Sequence, residues 1–224
     1  MDNSEVLHGC SNIYLVGSQM YGLVTPDSDE DYVQIYFDKA DYVRPFPIYP
    51  DEQQTDNNNY KLYSLVKYAT LLVKGNPNIV EIVNESPIIE NCDTVTDFIE
   101  HVKGLVVHKG LVSAMLGHLN HIGIEITRKG ITPKRLSHSL RLAETAKYVM
   151  LNNVLVPYRE LAEAREFSHG VKLGEIPLNE GEKRLTELMV EVTNMYNEVS
   201  GDMPDSSALR AAINVFFKEL YDVS

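Results

Sequence analysis

The chain has 224 residues, 44% of them hydrophobic and 23% charged, a balance that suits one globular domain with appendages or two small domains sharing a core. Acids outnumber bases by 32 to 20, for a formal net charge of −12. A protein that grips long nucleic acid needs an excess of Lys and Arg to displace counterions from phosphates, so no broad nucleic-acid-binding surface is expected. The charge favours a small substrate, a nucleic-acid end or a protein as partner, and confines any nucleic-acid contact to a local basic patch.

The chain begins MDNSEVLHGC, polar and acidic, which argues against a secretory or transit segment and makes the cytoplasm the expected compartment. No apolar run approaches the roughly 18 residues of a membrane span, so no membrane partner is expected. Cys10 and Cys92 form neither a CxxC pair nor a zinc spacing. They are expected as unpaired thiols of a reducing compartment, with a structural disulfide as the alternative.

Residues 12–16 (NIYLV) read as a short strand ended by Gly17, and 32–37 (YVQIYF) as a second strand. The connector between them closes on TPDSDED, a cluster of turn-forming acids after Pro26. From 38 to 59 the chain is Pro-rich and polar, which predicts a long loop of the kind that is often functional. Residues 60–73 place Leu62, Leu65, Val66, Ala69, Leu72 and Val73 at helical spacing, and Lys74-Gly75-Asn76-Pro77 breaks the helix. Asn76 can cap a new helix with Pro77 in its first turn, running through Ile79, Ile82 and Val83. Beyond Asp93 the pattern predicts helices over 94–107, 111–127, 133–152, 158–167, 181–199 and 206–221, with Thr132-Pro133 and Asp205-Ser206 as starts and Gly201 as a stop. The expected fold class is α+β: a mixed α/β unit over 1–90 and a helical unit over 91–224, with no flexible linker.

The segment 17–31, GSQMYGLVTPDSDED, carries the chemistry. Gly17 lets the backbone come close to a polyphosphate. Ser18 adds a hydroxyl donor, and the N–H groups that follow, Gln19 first, form an anion site at a helix start. Asp29 and Asp31, two apart on a strand, point to the same side. Carboxylates about 7 Å apart along a strand can hold magnesium ions between them, and such ions stabilise both attacking and leaving oxygens in an in-line displacement. Asp-x-Asp alone is usually a solvated turn; its combination with Gly-Ser in a strand–turn–strand context is what makes the reading specific.

This segment resembles the signature of the DNA polymerase beta nucleotidyltransferase superfamily, in which Gly-Ser precedes a helix and Asp-x-Asp follows about ten residues later. More narrowly, GSQMYGLVTPDSDEDYVQIYF resembles the bacterial and phage branch called RNA-repair-pathway nucleotidyltransferases. Looser likenesses follow in order at 63–83 (YSLVKYATLLVKGNPNIVEIV), 134–150 (KRLSHSLRLAETAKYVM) and 200–209 (SGDMPDSSAL). The resemblance implies a small mixed sheet flanked by helices, then a helical C-terminal domain. It implies transfer of a nucleoside monophosphate from an NTP to an acceptor hydroxyl, dependent on Mg2+ or Mn2+, with release of pyrophosphate. Gly17 and Ser18 would hold the triphosphate, and Asp29 and Asp31 the metals. The superfamily's third carboxylate, from a later strand, maps to Asn59, whose amide is no base and a poor magnesium ligand; Asp56 is the nearest acid that could replace it.

Several further residues are candidates with ordinary alternatives. Glu81 could face the cleft as a catalytic acid or be a helix-surface acid. Lys67 could touch phosphate or lie exposed. Lys134, His138 and Arg141 fall at i, i+4 and i+7, one helix face that could meet a triphosphate or RNA end, or be partly solvated. His118 and His121 lack a third ligand nearby, so packing or surface histidines are favoured over zinc. The thirteen tyrosines are scattered and read as packing residues. The acceptor stays open among an RNA or tRNA 3′ end, a protein and a small molecule. Two other function classes stand beside the enzyme: a non-catalytic nucleotide-binding or interaction module, favoured by Asn59, and an antitoxin-type nucleotidyltransferase that modifies a protein.

Overall fold

The computed structural model describes residues 10–37, 52–54 and 59–222. Its sheet is built around β1 (Cys10–Val16) and β2 (Asp31–Phe37), which pair antiparallel from Cys10↔Phe37 to Val16↔Asp31. Between them the chain makes one short helix, α1 (Gly17–Tyr21), ended by Gly22 in the left-handed conformation. β3 (Glu52–Gln54) and β4 (Tyr60–Ser64) extend the sheet on one side and β5 (Ile89–Glu90) on the other, in the order β3-β4-β2-β1-β5. The β2–β4 pair is parallel and the other pairs are antiparallel, so the sheet is mixed. Apart from 52–54 and Asn59, the stretch 38–59 expected as a long loop lies outside the described residues, and so does Asp56.

The helix expected over 60–73 is corrected. Its first five residues are β4, which runs alongside β2 from Tyr32↔Tyr60 to Tyr36↔Ser64, and only then does α2 (Leu65–Val73) begin. Leu62 happens to continue the helical spacing of Leu65 and Ala69. The true boundary is Ser64, whose hydroxyl accepts from the Lys67 N–H at 3.1 Å as an N-cap. α3 (Pro77–Val80) follows the break and tightens into a 3-10 turn over Glu81–Asn84.

The remaining helices are α4 (Asp93–Val102), α5 (Lys109–Lys129), α6 (Pro133–Asn152), α7 (Ala162–Leu173), α8 (Leu178–Val199) and α9 (Ser207–Asp222). α6 starts on its predicted cap, the Thr132 hydroxyl accepting from the Arg135 N–H at 3.3 Å. α7 differs from the predicted 158–167. Residues Tyr158–Glu160 form a 3-10 turn, and the helix passes Gly170 to stop at Gly174. Gly170 is no breaker here: a Cβ there would lie 2.9 Å from Ile176 Cδ1, so its smallness admits the returning chain. A single hydrophobic cluster runs from sheet residues such as Tyr14 and Ile35 through Leu65 and Phe98 to Leu136 and Leu188. Phe98 meets Phe216 and Phe217 at 5.2 and 5.7 Å, which returns α9 to α4.

The cysteine expectation is also corrected: Cys10 and Cys92 are joined by a disulfide. The backbone explains it. The Cys92 N–H donates to Asn12 Oδ1 at 3.2 Å and the Ser11 N–H to Asn91 Oδ1 at 3.0 Å, which sets the start of β1 against the entry to α4. A separation of 82 residues carries no trace of this in the sequence. Among the described residues no helix is long and apolar enough to cross a membrane.

Candidate active site

The end of β1, the start of β2 and the start of β4 open onto a cleft of about 880 Å3 whose other walls come from α6 and α7. Gly17, Ser18, Asp29, Asp31, Asn59 and Lys61 line it from the sheet side, and Lys134, Ser137, His138 and Lys172 from the helices. Val16 stands opposite Asp31 in the ladder, so Gly17 comes directly against the Asp31 carboxylate. Gly17 has φ +65°, and a Cβ there would be driven into Asp31 Oδ2. The glycine is therefore required twice, by its backbone conformation and by the acid seated over it. Asp31 opens β2, while Asp29 lies two residues earlier in the connector rather than on the strand, exposed toward the same cleft.

Asn59 stands beside this pair. Its carbonyl accepts the Tyr32 N–H at 2.7 Å, which fixes it next to the first residues of β2. The donor set fits a hard divalent cation: two carboxylates, the Ser18 hydroxyl and the Asn59 amide oxygen share one wall, and oxygen donors are what such ions take. Among the described residues no group of three or more His, Cys, Asp or Glu side chains converges, so any ion would rest on the two aspartates and these neutral oxygens.

The connector that carries Asp29 is held from across the cleft by α7. Lys172 Nζ donates to the Leu23 carbonyl at 2.5 Å and to Ser28 Oγ at 3.3 Å, and His169 Nε2 lies 2.8 Å from the Val24 carbonyl. Burial and the neighbouring Lys134 charge pull the Lys172 ammonium below the ordinary lysine value. Reading the sequence did not single out Lys172 or Lys61. Lys172 had a signal of the kind that marked α6, because Arg165, His169 and Lys172 also fall at i, i+4 and i+7.

The face of α6 divides. Lys134 and His138 line the cleft, but Arg141 does not: it is fully buried beneath it. Arg141 Nη1 donates to Glu81 Oε1 at 2.5 Å, its guanidinium lies 3.8 Å from the centre of the Tyr21 ring, and the Tyr21 hydroxyl donates to Glu81 Oε2 at 2.9 Å. Glu81 is thus engaged on both oxygens and buried, and it is absent from the cleft lining. Burial raises the Tyr21 phenol well above its ordinary value, so it stays a donor. His138 is pushed down to about 3 by burial first, then by the Arg141 and His118 charges, and is neutral at physiological pH. Its ring meets His118 edge-on at 5.9 Å. Gln19 and Lys67 are half-buried and outside the lining; the Gln19 carbonyl accepts the Gly22 N–H.

A family model described as the RNA repair pathway DNA polymerase beta family matches residues 3–176. The chain belongs to that family. No curated protein and no solved structure matches it. The RNA repair pathway DNA polymerase beta family model takes in every residue that lines the cleft, the last being Leu173, and stops before α8. Membership accords with the mixed sheet, flanking helices and helical C-terminal region, a polymerase beta-like α+β fold, and points to nucleotidyltransferase chemistry.

Proposed function

We propose that the chain is a metal-dependent nucleotidyltransferase that moves a nucleoside monophosphate from an NTP to an acceptor hydroxyl. The observation that carries this is the juxtaposition across one cleft of Asp29, Asp31 and Ser18, with Asp31 pressed over Gly17, and the cations Lys134 and Lys172 on the opposing helices. Acids alone would repel a triphosphate, and lysines alone would bind it without chemistry. Together they supply one wall for a cation and another for phosphate oxygens.

Asp29 and Asp31 would hold magnesium or manganese, which when bound offsets charge on the phosphates and favours the acceptor oxygen as nucleophile. The chain's own residues bind and orient. The backbone at Gly17, bare of a side chain, and the Ser18 hydroxyl approach the phosphates, while Lys134 and Lys172 meet their outer oxygens. Lys172 also keeps the connector bearing Asp29 in place through Leu23 and Ser28. The acceptor hydroxyl gives up its proton to solvent, and its oxygen forms the new bond to the α-phosphorus as the bond to pyrophosphate breaks.

Incubating the protein with magnesium or manganese, each labelled NTP and total tRNA, while following pyrophosphate release and label transfer, tests this reading. Metal-dependent transfer supports it and names the acceptor; no release with any NTP, when protein and small-molecule hydroxyls are offered as well as tRNA, overturns it. Gly17→Ala should lower turnover by about a hundredfold or more, since the added methyl displaces Asp31 and the left-handed backbone costs a non-glycine residue about 1–2 kcal/mol. Wild-type turnover in that variant would remove Asp31's seat from the argument.

Asn59 favours a second reading, a site that binds NTP without turning it over. An amide cannot take the acceptor's proton. Asn59→Asp should therefore raise kcat by about tenfold or more with little change in KM. If the wild type binds NTP, releases no pyrophosphate, and stays inert as Asn59→Asp, the binding module is the better account.

A further inference from the structure

Buried polar side-chain atoms almost always find a partner, because an unpaired one keeps its full desolvation penalty. Among the described residues four such atoms have none, and three of them sit together: Ser137 Oγ, Arg141 Nε and Arg141 Nη2. Ser137 and Arg141 are one turn apart on the same face of α6. Other buried hydroxyls of that helix turn back onto its own backbone. Ser139 donates to the Arg135 carbonyl at 2.8 Å and Thr145 to the Arg141 carbonyl at 2.9 Å. Ser137 does not, although it is only 1% exposed and lines the deep end of the cleft.

The chemistry of what is missing can be read from the orphaned atoms. Both Arg141 nitrogens donate and cannot accept, so the absent partner presents acceptors. Arg141 lies behind the lining, so Ser137 is the side chain a ligand can touch directly, and the Arg141 donors can reach a ligand only through an intervening water. The Arg141 charge is already met by Glu81, the flanking His138 is neutral, and the lysines suited to phosphate are the more accessible Lys134 and Lys172.

We propose that the floor of the cleft at Ser137 and His138 reads the nucleobase of the bound nucleotide, taking an uncharged ring edge that offers a carbonyl oxygen. This rests on the reading that the cleft takes an NTP, and deepens it to a choice among bases. A carbonyl oxygen has two lone pairs and can accept from Ser137 and from a water held by Arg141 at once, whereas a ring nitrogen accepts only one hydrogen bond. Adenine is the one common base of RNA with no carbonyl oxygen, so ATP should be the weakest of the four ligands.

Equilibrium competition of ATP, GTP, CTP, UTP and inorganic tripolyphosphate, on the wild type and on Ser137→Ala, tests the proposal. The wild type should prefer at least one carbonyl-bearing NTP over ATP by about tenfold or more, the worth of a well-made hydrogen bond in a dry site. Ser137→Ala should bring that ratio close to one while leaving tripolyphosphate affinity unchanged. Without ligand the same variant should melt no lower than wild type, because it removes an unpartnered hydroxyl. His138→Gln should also alter the ratio. Equal binding of all four NTPs, ATP as the preferred ligand, or a uniform loss that includes tripolyphosphate would each overturn the base-reading role. So would a lower melting temperature for ligand-free Ser137→Ala. If the wild type binds neither NTP nor tripolyphosphate, the nucleotide reading itself fails; binding without base preference removes only the role of Ser137.

Discussion

Replacing Asp29 and Asp31 together by alanine should abolish nucleotidyl transfer while leaving the protein folded. The expected loss is at least about a thousandfold in kcat/KM, roughly 4 kcal/mol of transition-state stabilisation. Among the described residues the one other acid that lines the cleft is Asp27, in the exposed turn of the connector, and Asn59 before β4 is neutral. The fold should tolerate the change. Asp29 is exposed, Asp31 is only half-buried, and neither belongs to the hydrophobic cluster. Removing two like charges from a chain of net charge −12 also relieves repulsion. The stability change should stay within about 0.5 kcal/mol, a shift of no more than about 2 °C in melting temperature for a chain of this size.

Two readouts separate a lost site from a lost fold. NTP with magnesium should raise the melting temperature of the wild type, because a ligand that binds only the native state stabilises it. The double variant should lose that increment together with its turnover. If it keeps wild-type transfer, the metal-holding role of these aspartates is wrong, whatever else the cleft does.

Much of this site was legible because its signal is local. Gly17-Ser18 and Asp29-x-Asp31 lie within fifteen residues, flanked by strands whose Val, Ile and Tyr content leaves little choice of conformation. Most helices beyond residue 93 were legible for the same reason, since caps such as Thr132-Pro133 are written beside the apolar period they start; α7, which has no side-chain cap, was placed too early. What failed to show was tertiary. β4 forms because β2 is there to pair with it, and its five residues carry no period that separates them from the helix they run into. The disulfide joins residues 82 apart through a strand edge that the sequence does not announce. Spacing likewise put Lys134, His138 and Arg141 on one face correctly, yet depth along that face depends on what packs against it. Lys134, in the first turn of α6, stays at the cleft, and Arg141, two turns on, packs against the Tyr21 ring.

That burial makes Arg141→Ala the substitution with the largest expected effect on stability. Arg141 is fully enclosed and Glu81 is 7% exposed, and the two join α6 to the turn after α3, with Tyr21 of α1 hydrogen-bonded to the same carboxylate. Removing one partner of a buried ion pair strands the other charge, which costs about 3–5 kcal/mol. For a chain of this length that lowers the melting temperature by roughly 10 °C or more. Glu81→Ala should be similarly damaging. Arg141→Lys should not rescue it, because an ammonium lacks the flat guanidinium that lies over the Tyr21 ring while its Nη1 donates to Glu81. Replacing both partners at once, Glu81→Leu with Arg141→Met, should recover much of the loss, since a buried pair can often be exchanged for apolar packing at little net cost. Chemical denaturation of the four variants gives these differences directly. The double variant also divides two roles that a single substitution confuses. If the pair matters only as a brace, restored stability brings restored turnover. If Arg141's remaining N–H groups act on the bound nucleotide from behind Ser137, the stable double variant binds tripolyphosphate normally but loses its preference among NTPs.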